Sequence, residues 1–200
     1  MLRLHDFTLS GHCHKVRMFL SMINEPIELI EVDLFGGETR GEEFQVMSRF
    51  GALPVLEDDG EFVRDSNAIL VYLAAKFERA DWLPTDALGR ARVQEWLSLS
   101  SRELADGAAR ARAATLWGGD YDLDACQAIA NTLFTRMDRH LDGRDWLAID
   151  RPSIADLSMF SYTAAAPEGG IDLSVYRHIQ SWITRVEALP GFVGMPAANP

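Results

Sequence analysis

Ser10-Gly11-His12-Cys13-His14-Lys15 stands just ahead of Val16, Phe19, Leu20 and Ile23, which recur at the i, i+3, i+4, i+7 spacing of one helical face. Ser, Gly and Cys before such a face are residues that a helix start accepts. The first N–H groups of a helix lack partners within it, and the start carries about half a positive charge, so an anion is favoured there. If the anion is a thiolate, a Ser10 hydroxyl at that place would donate a hydrogen bond to it. Asp65-Ser66 precedes a second helical face of Ala68, Ile69, Tyr72, Leu73, Lys76 and Phe77. Its plain reading is a helix cap. Its chemical reading is a second anion site, where Ser66 and backbone N–H groups hold a carboxylate and Asp65 accepts from an ammonium of the same ligand. Two helix starts flanking a hairpin would suit a short peptide with a thiol at one end and an amino-acid group at the other.

Three further motifs have plainer readings. Leu53-Pro54 lies where a hairpin strand begins, and spacing alone reads it as an ordinary trans proline at a strand start. The alternative is a cis bond, found in about 5% of X–Pro pairs, which would turn the Leu53 backbone towards a cleft where an extended peptide adds as a strand. Ser153-Ile154-Ala155-Asp156 is a capping box that starts a helix and carries no chemistry. His12-Cys13-His14 places metal-ligand types in a row, but adjacent residues at a helix start point in different directions and no second cluster completes a site. No metal is expected, and His5, His140 and His178 read as structural.

The elements that position these residues follow from periodicity. Residues 2–7 read as a half-buried strand, 13–23 as a helix closed by Asn24-Glu25-Pro26, and 27–33 as a second strand. Gly36-Gly37 opens a polar loop with a short helix. Leu53–Leu56 reads as a third strand, joined through Asp58-Asp59-Gly60 to a fourth over residues 61–64. The order βαβ then ββα implies a four-stranded mixed sheet with helices on its faces. Asp81–Asp86 reads as a linker. Beyond it only helical spacing appears, beginning at Val93, Trp96, Leu97 and Ser100, then at Ile129, Leu133, Met137 and Leu141, then at Ile179, Trp182, Ile183 and Val186. The fold class is therefore α/β plus all-α, with an α/β domain over residues 1–80 and a helical domain over 87–200.

Composition narrows the partners. The 200 residues are 48% hydrophobic and 24% charged, as in an ordinary soluble globular protein. A net charge of −11 disfavours phosphate backbones and anionic membranes, so neither nucleic acid nor membrane is an expected partner. An anionic ligand then needs a local positive site, which a helix start supplies without Lys or Arg. Cys13 and Cys126 form no spaced framework, the N-terminus has no long apolar segment, and no stretch approaches a membrane span. These features point to a cytoplasmic protein.

Taken in order, SGHCHKVR, ALPVLEDDG, RDSNAILVYLA, RPSIADLSMFSYT and APEGGIDLSVYRHIQSWITRVEALPGF resemble the cytosolic glutathione S-transferase family, in its bacterial, Ser-type form, across essentially the whole chain. The resemblance implies a thioredoxin-like N-terminal domain that binds glutathione as co-substrate, a helical domain lining the pocket for a small hydrophobic electrophile, a homodimer and a role in detoxification. It makes Ser10 the catalytic residue whose hydroxyl donates to the glutathione thiolate. A free thiol titrates near pH 8.5; one charge-assisted hydrogen bond plus a helix start would lower that by one to two units, roughly 1.4–2.7 kcal/mol of thiolate stabilisation. Leu53, before Pro54, matches the residue whose backbone pairs with the cysteinyl part, and Asp65 and Ser66 match the pair holding the γ-glutamyl end. Trp96, Trp117, Tyr121, Tyr162 and residues 164–170 are candidates for the acceptor pocket.

Two departures from the family pattern leave alternatives open. Ser48-Arg49 stands where many relatives have Asn-Pro, and Ala52 where they have a Gln that helps hold glutathione, so binding would lean on other groups such as Arg40. That absence, with the acidic surface, motivates a non-catalytic binding module. Ser10-Gly11-His12-Cys13 is also a Ser-x-x-Cys version of a dithiol motif. Cys13 reads first as a packing residue, with a glutathione-dependent thiol reductase using Cys13 as the other reading.

Overall fold

The computed structural model describes residues 1–198, which divide into two compact units. The first contains residues 1–79 and 190–197. Its strands β1 (Leu2–Asp6), β2 (Glu28–Glu31), β3 (Val55–Asp58) and β4 (Glu61–Arg64) form one sheet in the order β2-β1-β3-β4. β1 and β2 run parallel and the other pairs antiparallel, as the expected mixed sheet requires. The parallel pair needs a crossover, and α1 (Gly11–Met22) supplies it. β3 starts at Val55, two residues later than the spacing suggested, because Pro54 has no N–H to give to the ladder. The Leu53-Pro54 bond is cis, so the second of the two sequence readings holds. Asp59 and Gly60 both take positive φ, 49° and 88°, as a two-residue hairpin turn demands.

Val16, Phe19 and Leu20 of α1 are buried, each contributing roughly 1.5–3 kcal/mol of apolar burial. α1 packs beside α3 (Ser66–Lys76). Phe44 of the short helix α2 (Glu42–Met47) packs with Val32 and Val55, and Leu53, Met47 and Phe62 flank that cluster. Residues 190–197, beyond the last helix, return to the α/β unit. Gly191 sits at φ +76° against α1, where a Cβ would meet the Ser21 carbonyl oxygen at 2.8 Å. The His14 Nε2–H donates to the Val193 carbonyl at 2.8 Å.

The second unit contains α4 (Ala87–Leu99), a π-helical segment (Ser100–Ala109), α5 (Arg110–Trp117), α6 (Leu123–His140), α7 (Ile154–Ala164) and α8 (Arg177–Glu187). The three periodic runs fall on α4, α6 and α8. The π turn, with its wider period, escapes a 3.6-residue pattern. Gly107 there lets α6 approach, since a Cβ would lie 2.8 Å from the Ala130 nitrogen. The segment expected as a linker is tied to this unit instead. Trp82 is buried, its carbonyl accepts from the Ile154 N–H at 3.1 Å, and Arg151 donates to the carbonyls of Ala80 and Asp81. The Ser153 capping box is present. The buried Asp156 accepts from the N–H groups of Leu147 and Ser153, the Ser153 hydroxyl and the Trp182 indole, all within 3.1 Å. No helix among the described residues is long and apolar enough to cross a membrane.

Candidate functional site

Ser10 is the N-cap of α1 in extended backbone, and its Oγ accepts from the Cys13 N–H at 3.3 Å. Its own N–H is held by the Phe7 carbonyl at 2.8 Å. The chain leading to it is braced from below: Arg17 donates to both carboxylate oxygens of the buried Asp6 at 2.5 Å and to the Thr8 carbonyl at 2.8 Å. Ser10 stays half-buried, and a hydroxyl that accepts in this way still has its hydrogen to donate. α1 thus begins with a hydroxyl fixed at its N-cap.

The second helix start is assembled differently. Asp65 takes φ +71° and its Oδ1 accepts from the N–H groups of Asn67 and Ala68, both at 2.9 Å. Ser66 is buried behind it, Asp65 is exposed. The Ser66 hydroxyl lies 3.4 Å from His12 Nδ1, so the first turn of α1 meets the first turn of α3. Leu53 is half-buried ahead of β3. The loop before it is fixed by Ser48, whose buried hydroxyl donates to the Ala52 carbonyl at 2.9 Å and accepts from the Ala52 N–H at 3.2 Å. Ser48, at the departure from the Asn-Pro pattern, is therefore the clasp of that loop. Arg40 is exposed, and among the described residues no hydrogen bond or ion pair ties it to the other candidates.

The titrating groups of α1 are strongly shifted. Burial and the nearby Asp6 charge push the Cys13 thiol up to about 12, against smaller pulls from Ser10, the Phe7 N–H and Arg17. Cys13 has no exposed surface and its sulfur accepts from the Phe7 N–H at 3.4 Å. Burial, reinforced by the Lys15 charge, lowers His12 to about 3, and burial lowers His14 to about 4. Both imidazoles are neutral at neutral pH. Lys15, wholly buried, donates to Asn67 Oδ1 at 3.2 Å.

Lys15 has no role in the sequence analysis, and His12 figures there only as a metal-ligand type. The signal was there: positions 12, 15, 16, 19 and 23 share one stripe of a 3.6-residue helix, and two of the five are polar. Polar side chains on an apolar stripe must find partners on the neighbouring element. Ser48 carried no such signal, because its partner is a loop carbonyl. No group of three or more His, Cys, Asp or Glu residues suited to a metal occurs among the described residues.

In the helical unit a groove of about 520 Å³ runs between α4, the π segment and α6, lined by Trp96, Leu99, Ile129, Leu133 and Met137. The Trp96 ring meets that of His140 edge-on at 5.0 Å. Of the other acceptor-pocket candidates, Tyr162 is buried, whereas Trp117 and Tyr121 are partly exposed, with the guanidinium groups of Arg112 and Arg110 over their rings at 5.0 and 5.4 Å.

Residues 4–81 match the glutathione S-transferase N-terminal domain, and residues 118–190 the C-terminal domain of the same family. Glutathione S-transferase 3 of Zea mays is 28% identical over 100% of this chain and 95% of its own length. The crystal structure of a glutathione S-transferase from Pseudomonas fluorescens superposes with a TM-score of 0.93 at 31% identity, covering 98% of this chain and 99% of that one. Human glutathione transferase theta-2, solved in complex with glutathione and an unknown ligand, gives 0.83 at 25% identity, over 94% of this chain and 82% of that one.

Proposed function

The chain belongs to the glutathione S-transferase family, and on that premise we propose that it activates glutathione through Ser10 for attack on a small hydrophobic electrophile. In this reading the Ser10 hydroxyl donates to the glutathione sulfur at the start of α1, and the thiol proton leaves to solvent. The thiolate then forms a carbon–sulfur bond with the electrophile. Substitution expels the leaving group; addition draws a proton from water. Ser66, at the start of α3, receives the γ-glutamyl carboxylate, Asp65 receives its ammonium, and the Leu53 backbone pairs with the cysteinyl unit. Pro54 ends that segment, Arg40 offers an exposed cation for the glycyl carboxylate, and the helical unit binds the acceptor.

The observation that carries this reading is the contrast within one helical turn. Ser10 is an accessible, fixed hydroxyl, while Cys13 is sealed and its thiol is pushed up to about 12. A group held so firmly as a thiol is a poor nucleophile, which supports Ser10 over a reductase acting through Cys13. The meeting of His12 with Ser66 further supports one ligand spanning both helix starts. The reading extends to a cytoplasmic homodimer acting in detoxification, in keeping with two free, buried cysteines.

Calorimetry of glutathione binding, with thiolate absorbance followed against pH, tests it. The wild type should bind in the micromolar-to-millimolar range with a thiol titrating one to two units below about 8.5, and Ser10→Ala should lose most of that depression. Activity that survives Ser10→Ala and disappears in Cys13→Ser would replace the reading with the reductase. No binding at several millimolar would leave a fold kept without this chemistry.

A further inference from the structure

Lys15 is a fully buried lysine in a chain with a net charge of −11. Lysine is almost never fully buried unless it is paired. It lies one turn along α1 from His12 and reaches across to α3, donating to Asn67 Oδ1 at 3.2 Å. Asn67 is the second residue of α3, and its N–H is held by Asp65. The two helix starts are therefore joined twice, by His12 to Ser66 near the surface and by Lys15 to Asn67 beneath. The charged and titratable groups that bear on Lys15 are His12 and Cys13 of its own helix and Asp65 at the start of α3.

We propose that Lys15 is a positioning residue for the γ-glutamyl carboxylate: its buried ammonium, seated on Asn67, holds the start of α3 in register with α1 and supplies the positive charge beneath the ligand. This rests on the reading of Ser66 as the γ-glutamyl site. Burial lowers the Lys15 ammonium to about 7, with Asp65 and Cys13 pulling the other way. A carboxylate arriving at Ser66 favours the charged form, so binding draws a proton from solvent onto Lys15. Neutral His12 takes no part in that exchange, because it titrates near 3.

S-hexylglutathione, which has no thiol to titrate, isolates the effect. Its binding is measured by calorimetry at pH 7.5 in two buffers of different ionisation enthalpy. The wild type should take up more than about half a proton, and affinity should fall as pH rises through 7 to 9. Lys15→Met should bind about tenfold more weakly and take up none. Lys15→Arg, which stays charged, should recover affinity without proton uptake. Wild-type binding with no proton uptake, or full affinity in a folded Lys15→Met, overturns the role of Lys15 and leaves the Ser10 reading standing. If both variants fail to fold, the wild-type proton count alone decides. A wild type that does not bind S-hexylglutathione overturns both.

Discussion

Ser10 and Ser153 do the same job at the starts of α1 and α7, yet they are finished differently. The Ser153 hydroxyl accepts from the Ala155 N–H at 3.3 Å and donates to Asp156 Oδ2 at 3.1 Å, with no surface left to solvent. Ser10 accepts from the Cys13 N–H in the same way, but it stays half-buried, and among the described residues no carboxylate takes its hydrogen. A capping serine becomes a candidate for chemistry when the fold leaves its donor pointing at a place a ligand can reach. Sequence type alone does not separate the two; the presence of an acid three residues on does. α1 has His at position 13's neighbours and no acid in its first turn, whereas α7 has Asp156.

The comparison breaks most visibly at Asp156. Asp156→Ala removes the acceptor of four donors, two of them the buried Leu147 N–H and the Trp182 indole, and should cost about 4 kcal/mol in denaturant unfolding. A loss below about 1 kcal/mol would show that the capping box is not the anchor of the helical unit.

Acid should separate the two helices next. His14 is buried neutral, with its folded value near 4 against about 6.5 unfolded. A depressed histidine gives stability that is whole above the unfolded value and is lost as pH falls through the folded one. Between pH 7 and 4 the α1 region should lose about 3 kcal/mol, with His12 adding to it. Burial holds Asp156 above the ordinary carboxylate range, which gives α7 the opposite sign: its protonated form is favoured in the fold as pH falls. Hydrogen exchange at pH 5 should therefore open α1 amides before those of α7, and His14→Phe should shrink the difference. Equal loosening of both helices would refute the assignment.

The smallest effect is the most discriminating. Ser10→Ala and Ser153→Ala should each cost about 1 kcal/mol as lost caps. Only Ser10→Ala should move the titration of bound glutathione, so matching shifts in both variants would erase the distinction between the two serines.

The helices, the hairpin and the sheet were legible because each rests on local rules: a 3.6-residue stripe, a two-residue turn with Gly60, a strand pair that needs a crossover. Ser10 and Asp65 were legible for the same reason, being caps, and Ser66 as the residue that opens the helix after Asp65. What stayed hidden depends on distant partners. His14 finds its acceptor at Val193, Lys15 at Asn67, and Ser48 at a loop carbonyl. The cis bond at Leu53-Pro54 was one of two open readings, and spacing favoured the other. The π segment does not follow the α-helical period, and residues 190–197, adjacent in sequence to the helical unit, pack with the α/β unit instead.

That last segment has a consequence for how the chain is made. The α/β unit is discontinuous: its sheet and helices lie within residues 1–79, but the carbonyl that holds His14 and the glycine that fits against Ser21 come after residue 189. During synthesis this unit begins to emerge from the ribosome before the helical unit and is completed only after the helical unit has followed it out. A nascent chain stalled before residue 190 carries Ser10, Ser66 and Lys15 on an α1 that still lacks its final clasp.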